Sequence, residues 1–283
     1  MKMKTTIILL CVLLSLTACA KESAKMAEVK APMEQKAEPK AEKAETMPLG
    51  VRALMDAYPD FIKDFDGKNV VFADGTKMVY DDGRKKSFAV MLDDSDLEDM
   101  FYVAYEMPRD KAPDYQADAG RSRNDALFKK MYGSSSAAVQ RTLTTVDWLG
   151  QKVKMTNVNG AADSLRKVAA ELAARPELKK YLKSSGTFYW RPVRGAKRMS
   201  AHSYGIAFDI GVDYSDYWLW KNGNKSDENA KVKYANRIPH EICEIFEKHG
   251  FIWGGAWYHF DTMHFEFRPE ILRYAQLYKE TNH

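Results

Sequence analysis

Between residues 21 and 45 the chain carries six lysines and six glutamates among alanines and prolines, and no aromatic residue. Such a stretch cannot bury enough apolar surface to offset the conformational entropy lost on ordering. Residues 19–48 are therefore expected to form a disordered tether, and whatever folds must be built from residues 49–283. Fully extended, a tether of ~28 residues at about 3.3 Å each would reach on the order of 90 Å. From about residue 49 aromatics recur steadily, and no second low-complexity linker interrupts them. With 45% hydrophobic and 12% aromatic residues a sizeable core is available, so 49–283 is expected to be one folded unit. Within it, residues 49–150 read as an accessory layer and 151–283 as the core region.

Formal charge is +4, and setting aside residues 1–18, which hold Lys2 and Lys4 and no acid, leaves 41 basic against 39 acidic residues. No basic stripe tracks a phosphate backbone, so nucleic acid is not an expected partner. Lys2 and Lys4 precede "IILLCVLLSL" (7–16), an apolar run too short to span a bilayer, and residues 1–18 read as an export signal. The run ends in "LTAC" (16–19), which resembles the lipobox of bacterial lipoproteins. That resemblance implies cleavage before Cys19 and a lipid on Cys19. The protein would then sit in the cell envelope, anchored to a membrane and facing the periplasm or exterior. The alternative is an ordinary secretory signal in which Cys19 is incidental. Cys11 leaves with the signal, only Cys243 then remains free, and no intramolecular disulfide is possible.

Within the folded part, "NVVFADGTKMVY" (69–80) predicts a hairpin turning at Asp74-Gly75. The acidic stretch 93–100 reads as a short helix start capped by Asp94 or Ser95. Residues 134–149 place Val139, Leu143 and Val146 at helical spacing after a serine cap. Residues 162–182 form a clear amphipathic pattern, broken or restarted at Pro176. "GTFYWRPV" (186–193) has strand composition. Residues 237–250 predict a helix with Pro239 in its first turn and Gly250 at its C-cap. "GFIWGGAWYHFDTMHFEFR" (250–268) alternates like a hairpin or two short strands, and a helix over 269–280 follows. Helices mixed with antiparallel hairpins make the class α+β, a small antiparallel sheet with flanking helices.

Chemistry concentrates in two places. "RMSAHSYGIAFDIGVD" (198–213) embeds His202 and Asp209 in an apolar segment, and "DTMHFEF" (261–267) supplies Asp261, His264 and Glu266. Two imidazoles and a carboxylate are the protein ligands of a catalytic zinc, which keeps its fourth position open. The spacing makes sense if "IAFDI" is a strand carrying Asp209 and a turn at Gly205 swings His202 back beside it. His240 and His249 on the 237–250 helix read as satisfied core residues. His259 either lines the cleft or ligates in place of another, and no role is argued for His283. Tyr214, Tyr217, Trp218 and Trp220 either wall a substrate cleft or pin their loop to the core.

The segment "SAHSYGIAFD" matches the S-x-H-x-x-G-x-A-x-D signature of zinc D-alanyl-D-alanine carboxypeptidases and dipeptidases, a family that includes L-alanyl-D-glutamate endopeptidases of phage endolysins. "DTMHFE", preceded by "GFIWGGAW", resembles that family's second signature in its endolysin-like form. The resemblance is closest over about 186–270, is taken to extend across 49–283, and does not include the tether. It implies a Hedgehog/DD-peptidase-like core and a Zn2+ ion held by His202, Asp209 and His264. It implies Asp261 as general base and Arg191, in "FYWRPV", as the group steadying the substrate carbonyl, with Arg194 and Arg198 nearby. Glu266 would orient a ligating imidazole, and Ser200 would do likewise or cap the turn.

What the resemblance implies is a monomeric, zinc-dependent peptidase acting on peptidoglycan stem peptides, with 151–283 as its catalytic core. Removal of a terminal D-alanine is the expected reaction. Cleavage of L-Ala–D-Glu is the alternative. An inactive peptidoglycan-binding lipoprotein and a metallopeptidase of envelope proteins also stay open, as does the metal, since the same trio could hold another divalent ion.

Overall fold

The computed structural model describes residues 47–106 and 111–282. The export signal over 1–18, the lipidation site Cys19, the tether as far as residue 46, and His283 lie outside the described residues. Helix α1 (Leu49–Ala57) leads into a three-stranded antiparallel sheet of β1 (Ile62–Phe65), β2 (Asn69–Phe72) and β3 (Lys77–Val79). The β2–β3 turn is where Asp74-Gly75 places it. Asp74 Oδ1 accepts from Thr76 N at 3.0 Å and Thr76 Oγ1 at 2.7 Å. Helix α2 (Phe88–Asp93) ends where the acidic stretch begins. Asp94 therefore closes that helix and starts none, and Ser95 Oγ donates to Arg123 O at 3.0 Å; only a 3-10 turn at Asp99–Phe101 follows.

Helix α3 (Asp125–Tyr132) is capped by Asn124, whose side chain accepts from Leu127 N at 2.8 Å, and α4 (Ser136–Gln140) by Ser135. Here the expected helix over 134–149 fails after one turn. Residues from Leu143 form strand β4 (Leu143–Trp148), fully paired with β5 (Gln151–Thr156). The β-branched run Thr144, Thr145, Val146 favours the pleated backbone. Val146 and Trp148, two apart, face the core, and Leu149 and Gly150 both take positive φ in the tight turn. The division drawn at residue 150 falls inside this turn. One hydrophobic core runs without a break from Val51 to Leu277.

Helix α5 (Ala161–Ala173) buries Ala161, Ala162, Leu165, Val168, Ala169 and Leu172, one apolar stripe at 3–4-residue spacing. A 3-10 stretch restarts at Pro176. The strand expected over 186–193 reduces to β6 (Ser184–Gly186), beyond which the chain leaves the sheet. Strand β7 (Ala207–Ile210), short helix α6 (Trp218–Lys221), α7 (His240–Lys248), β8 (Phe251–Trp253), β9 (His264–Phe267) and α8 (Pro269–Asn282) complete the α+β architecture. Pro239 stands at the N-cap of α7 and Gly250 just beyond its C-cap, with φ 89°.

The second sheet positions the chemistry. Its strand order is β6-β7-β9-β8, all antiparallel. Phe208 and Phe265 are register partners on the face that packs against α7 and the β4–β5 hairpin. Phe246 stacks on Phe265 with centroids 3.9 Å apart, and Trp148 meets Phe208 edge-on at 4.6 Å. Each fully buried ring contributes roughly 1.5–3 kcal/mol by leaving water. Strand side chains alternate, so Ala207, Asp209, His264 and Glu266 must point to the opposite face.

Candidate metal centre

The centre follows from that register. Asp209 and His264 are directly paired across β7 and β9, as are Ala207 and Glu266. His202 reaches them from the 3-10 turn Ala201–Tyr204. The turn closes at Gly205, with φ 67°, where a Cβ would meet Leu143 Cδ2 at 2.6 Å, so both conformation and space demand glycine. His202 Nε2 lies 3.2 Å from Asp209 Oδ2, and His264 Nδ1 lies 2.8 Å from Asp209 Oδ1. One ligand atom from each of the three residues falls within 4.8 Å of the others.

The remaining ring nitrogens are held from behind. His202 Nδ1 donates to Thr187 O, which fixes its tautomer and leaves Nε2 facing inward. His264 Nε2 donates to Glu266 Oε1 at 3.0 Å. Glu266 is itself clamped by Arg123 at 3.0 Å and Arg268 at 3.1 Å, and Arg268 continues to Glu270, which accepts from Tyr58 at 2.6 Å. Carboxylates and carbonyls behind ligating imidazoles set ring orientation and raise basicity. Arg123, Thr187, Arg268 and Tyr58 had no signal in the sequence as site residues, although two arginines in "GRSRND" (120–125) ahead of a helix cap were a visible oddity.

Electrostatics follow the contacts. Burial opposes charge on Asp209, yet His202 and His264 hold its carboxyl well below the usual range. Burial likewise opposes charge on Glu266, and Arg123, His264 and Arg268 overcome it. For His264 the two carboxylates outweigh burial and push the imidazole up to about 10. Asp261 goes the other way. Burial, with Asp209 nearby, pushes it up to about 7 against the opposing pull of His264 and His202. Its Oδ1 is shut away from solvent without a hydrogen-bond partner. The backbone holds it in place: Asp261 N donates to Gly254 O at 3.0 Å, and a Cβ on Gly254 would meet Asp261 O at 2.6 Å.

The three candidate ligands, Asp261, Glu266 and Arg123 border one cavity of about 530 Å³. Two larger clefts, about 840 Å³ each, contain none of the candidate ligands. Asp261, Arg191, Arg194, Arg198 and Ser200 line the cavity with His202, Asp209, His264 and Glu266. Arg191 is exposed and donates to Pro192 O at 3.3 Å, whereas Arg198 is buried against Asp93 at 2.6 Å. Ser200 stands at the N-cap of the turn but makes no side-chain capping bond; Ser203 ties the segment instead, donating to Arg191 O at 2.8 Å. Tyr217, Trp218 and Trp220 line the cavity, while Tyr214 packs on Tyr181 elsewhere.

His259 lines the cavity but belongs to another cluster. Its Nδ1 is 2.6 Å from Asp118 Oδ2, and Asp118 and Glu228 share Arg121 at 2.7 and 2.9 Å. His249 pairs with Glu171 at 2.6 Å, and His240 packs edge-on to Trp253. Both are half-buried rather than core residues.

The donor set of His202, Asp209 and His264 fits a divalent ion such as zinc: three protein donors, two of them held by partners behind, beside a carboxyl with one unsatisfied buried oxygen. No curated protein and no solved structure matches the chain. Residues 194–267, which hold every candidate ligand and Asp261 but begin three residues after Arg191, match the family model described as D-alanyl-D-alanine carboxypeptidase.

Proposed function

We propose that the protein is a zinc-dependent peptidase of peptidoglycan stem peptides, and that it removes a terminal D-alanine. The observation that carries this reading is the convergence of His202, Asp209 and His264 beside Asp261, whose Oδ1 is shut away from solvent without a hydrogen-bond partner. The match over 194–267 supports it. When bound to the three ligands, a divalent ion supplies a Lewis acid that polarises the scissile carbonyl and acidifies the attacking water. Asp261 takes the water's proton and passes it to the leaving amine as the C–N bond breaks. Lining the same cavity as the three ligands, its carboxyl is placed for both transfers. Arg191 aims its guanidinium at the carbonyl oxygen as negative charge develops. Glu266 and Thr187 O keep both imidazoles in the ligating tautomer.

Cleavage of L-Ala–D-Glu is the second reading, favoured by "GFIWGGAW" and by aspartate rather than glutamate at 261. Metal-loaded protein incubated with pentapeptide muropeptides, its products read by mass spectrometry, separates the two. Loss of one alanine is expected, and release at L-Ala–D-Glu would move the protein to the endopeptidase reaction. Asp261→Asn should lower the rate about 10²–10⁴-fold with metal content unchanged. No cleavage by the metal-loaded parent would mean that the substrate is wrong or that the site only binds. The proposal also places the protein in the cell envelope, with a lipid on Cys19. Cys19→Ala should then shift it from the membrane to the soluble fraction.

A further inference from the structure

Five arginines border the cavity, and they divide into two groups. Arg121, Arg123 and Arg198 are buried and bound to carboxylates: Arg121 to Asp118 and Glu228, Arg123 to Glu266, Arg198 to Asp93. Arg191 and Arg194 are exposed, and among the described residues neither is ion-paired with a carboxylate. The backbone that carries them is nevertheless fixed. Arg191 N donates to Ser203 Oγ at 3.0 Å, Val193 N to Arg198 O at 2.9 Å, and Ser226 Oγ to Arg194 O at 3.3 Å. The wall is thus neutralised internally except for two guanidinium groups at its open side, on a rigid segment. Guanidinium is the side chain best matched to a carboxylate, through two parallel charge-assisted hydrogen bonds.

The two candidate reactions share one chemical feature. In D-Ala–D-Ala the residue whose amine leaves carries the terminal carboxylate. In L-Ala–D-Glu the glutamate is joined onward through its γ-carboxyl, so its α-carboxylate is free as well. We propose that Arg194 binds this free α-carboxylate and so selects the bond to be cut, leaving Arg191, three residues earlier, to the carbonyl. The inference rests on the peptidase reading of the same site.

The test pairs each substrate with its amide: a stem ending in D-Ala–D-Ala as acid and as C-terminal amide, and an L-Ala–γ-D-Glu stem with its α-carboxyl free or amidated. Metal-loaded wild-type protein should favour the acid of one pair by about tenfold or more in kcat/KM, and that pair identifies the source of the carboxylate. Arg194→Gln should bring the ratio near one, mainly through KM, and Arg194→Lys should restore part of it. A wild type indifferent to amidation, or a ratio unchanged in Arg194→Gln, overturns the inference. If no pair is cleaved, the peptidase reading fails by itself, and the four probes are titrated calorimetrically into the metal-loaded protein. Acid binding weakened about tenfold by Arg194→Gln then upholds the carboxylate site, and equal binding overturns it.

Discussion

His202, Asp209 and His264 bring one ligand atom each within 4.8 Å of the others, and so do Asp118, Glu228 and His259 beside the same cavity. Composition hardly distinguishes these trios. The position of arginine does. In the first trio Arg123 and Arg268 stand one step back, bound to Glu266, and the ligand atoms of His202, Asp209 and His264 face one another. In the second, Arg121 reaches between the two carboxylates at 2.7 and 2.9 Å and fills the place an ion would need. A guanidinium behind a ligand tunes it; one among the ligands replaces the metal. The second trio is therefore an ion-pair network that ties Glu228 to the 118–121 segment.

The comparison breaks most completely at the ligands. His264→Ala should abolish both bound zinc and activity, while His259→Asn should retain one equivalent of metal by atomic absorption. The reverse pattern would exchange the roles assigned to the two trios. Next in size, Arg121→Met takes the guanidinium away from buried Asp118 and half-buried Glu228 and should cost about 3 kcal/mol in urea unfolding of the metal-free protein, with zinc stoichiometry intact. A variant that instead takes up a second metal ion would show that the guanidinium alone keeps the second trio from binding. Glu266→Gln leaves the ligands in place but weakens the support behind His264, and zinc affinity in competition with a chelator should drop about 10–100-fold.

The smallest effect is in acid. Burial works against charge on Asp118, but Arg121 and His259 hold it below its ordinary 3.8, and Arg121 holds Glu228 below 4.5. A depressed carboxyl contributes stability that is complete above the unfolded pKa and lost as pH falls through the folded one. Wild type should therefore exceed Asp118→Asn by about 1–3 kcal/mol above pH about 5, with the gap closing below about 4. A gap that persists in acid would contradict the depressed carboxyl.

The first trio was legible because its residues sit in two short motifs whose strands pair with each other. Its support was not, because Arg123 lies 143 residues from Glu266 and Thr187 contributes only a backbone carbonyl. Local patterns carry no information about such partners. The β4 strand was misread for a related reason. Val139, Leu143 and Val146 fit helical spacing, whereas Val146 and Trp148 fit a strand, and only the partner strand β5 decides between them. For the tryptophan-rich segment around 217–220 the sequence leaves cleft wall and core anchor open; Tyr217, Trp218 and Trp220 line the cavity, and Tyr214 falls outside because its ring has Tyr181 to pack on.

The direct pairing of Asp209 with His264 has a further consequence. The 54 residues between them do not set the distance between these two ligands, since ladder register alone brings the two side chains together. Much of the intervening chain, with Glu228, is loop bordering or bracing the cavity, and Trp220 borders it from the short helix α6. Such loops can lengthen, shorten or exchange their aromatics without moving a ligand, whereas one residue inserted into β7 or β9 ahead of its ligand would turn that ligand to the opposite face. Change in this protein is therefore partitioned: the lining of the cavity can drift gradually, whereas the pairing of the candidate ligands depends on one fixed register.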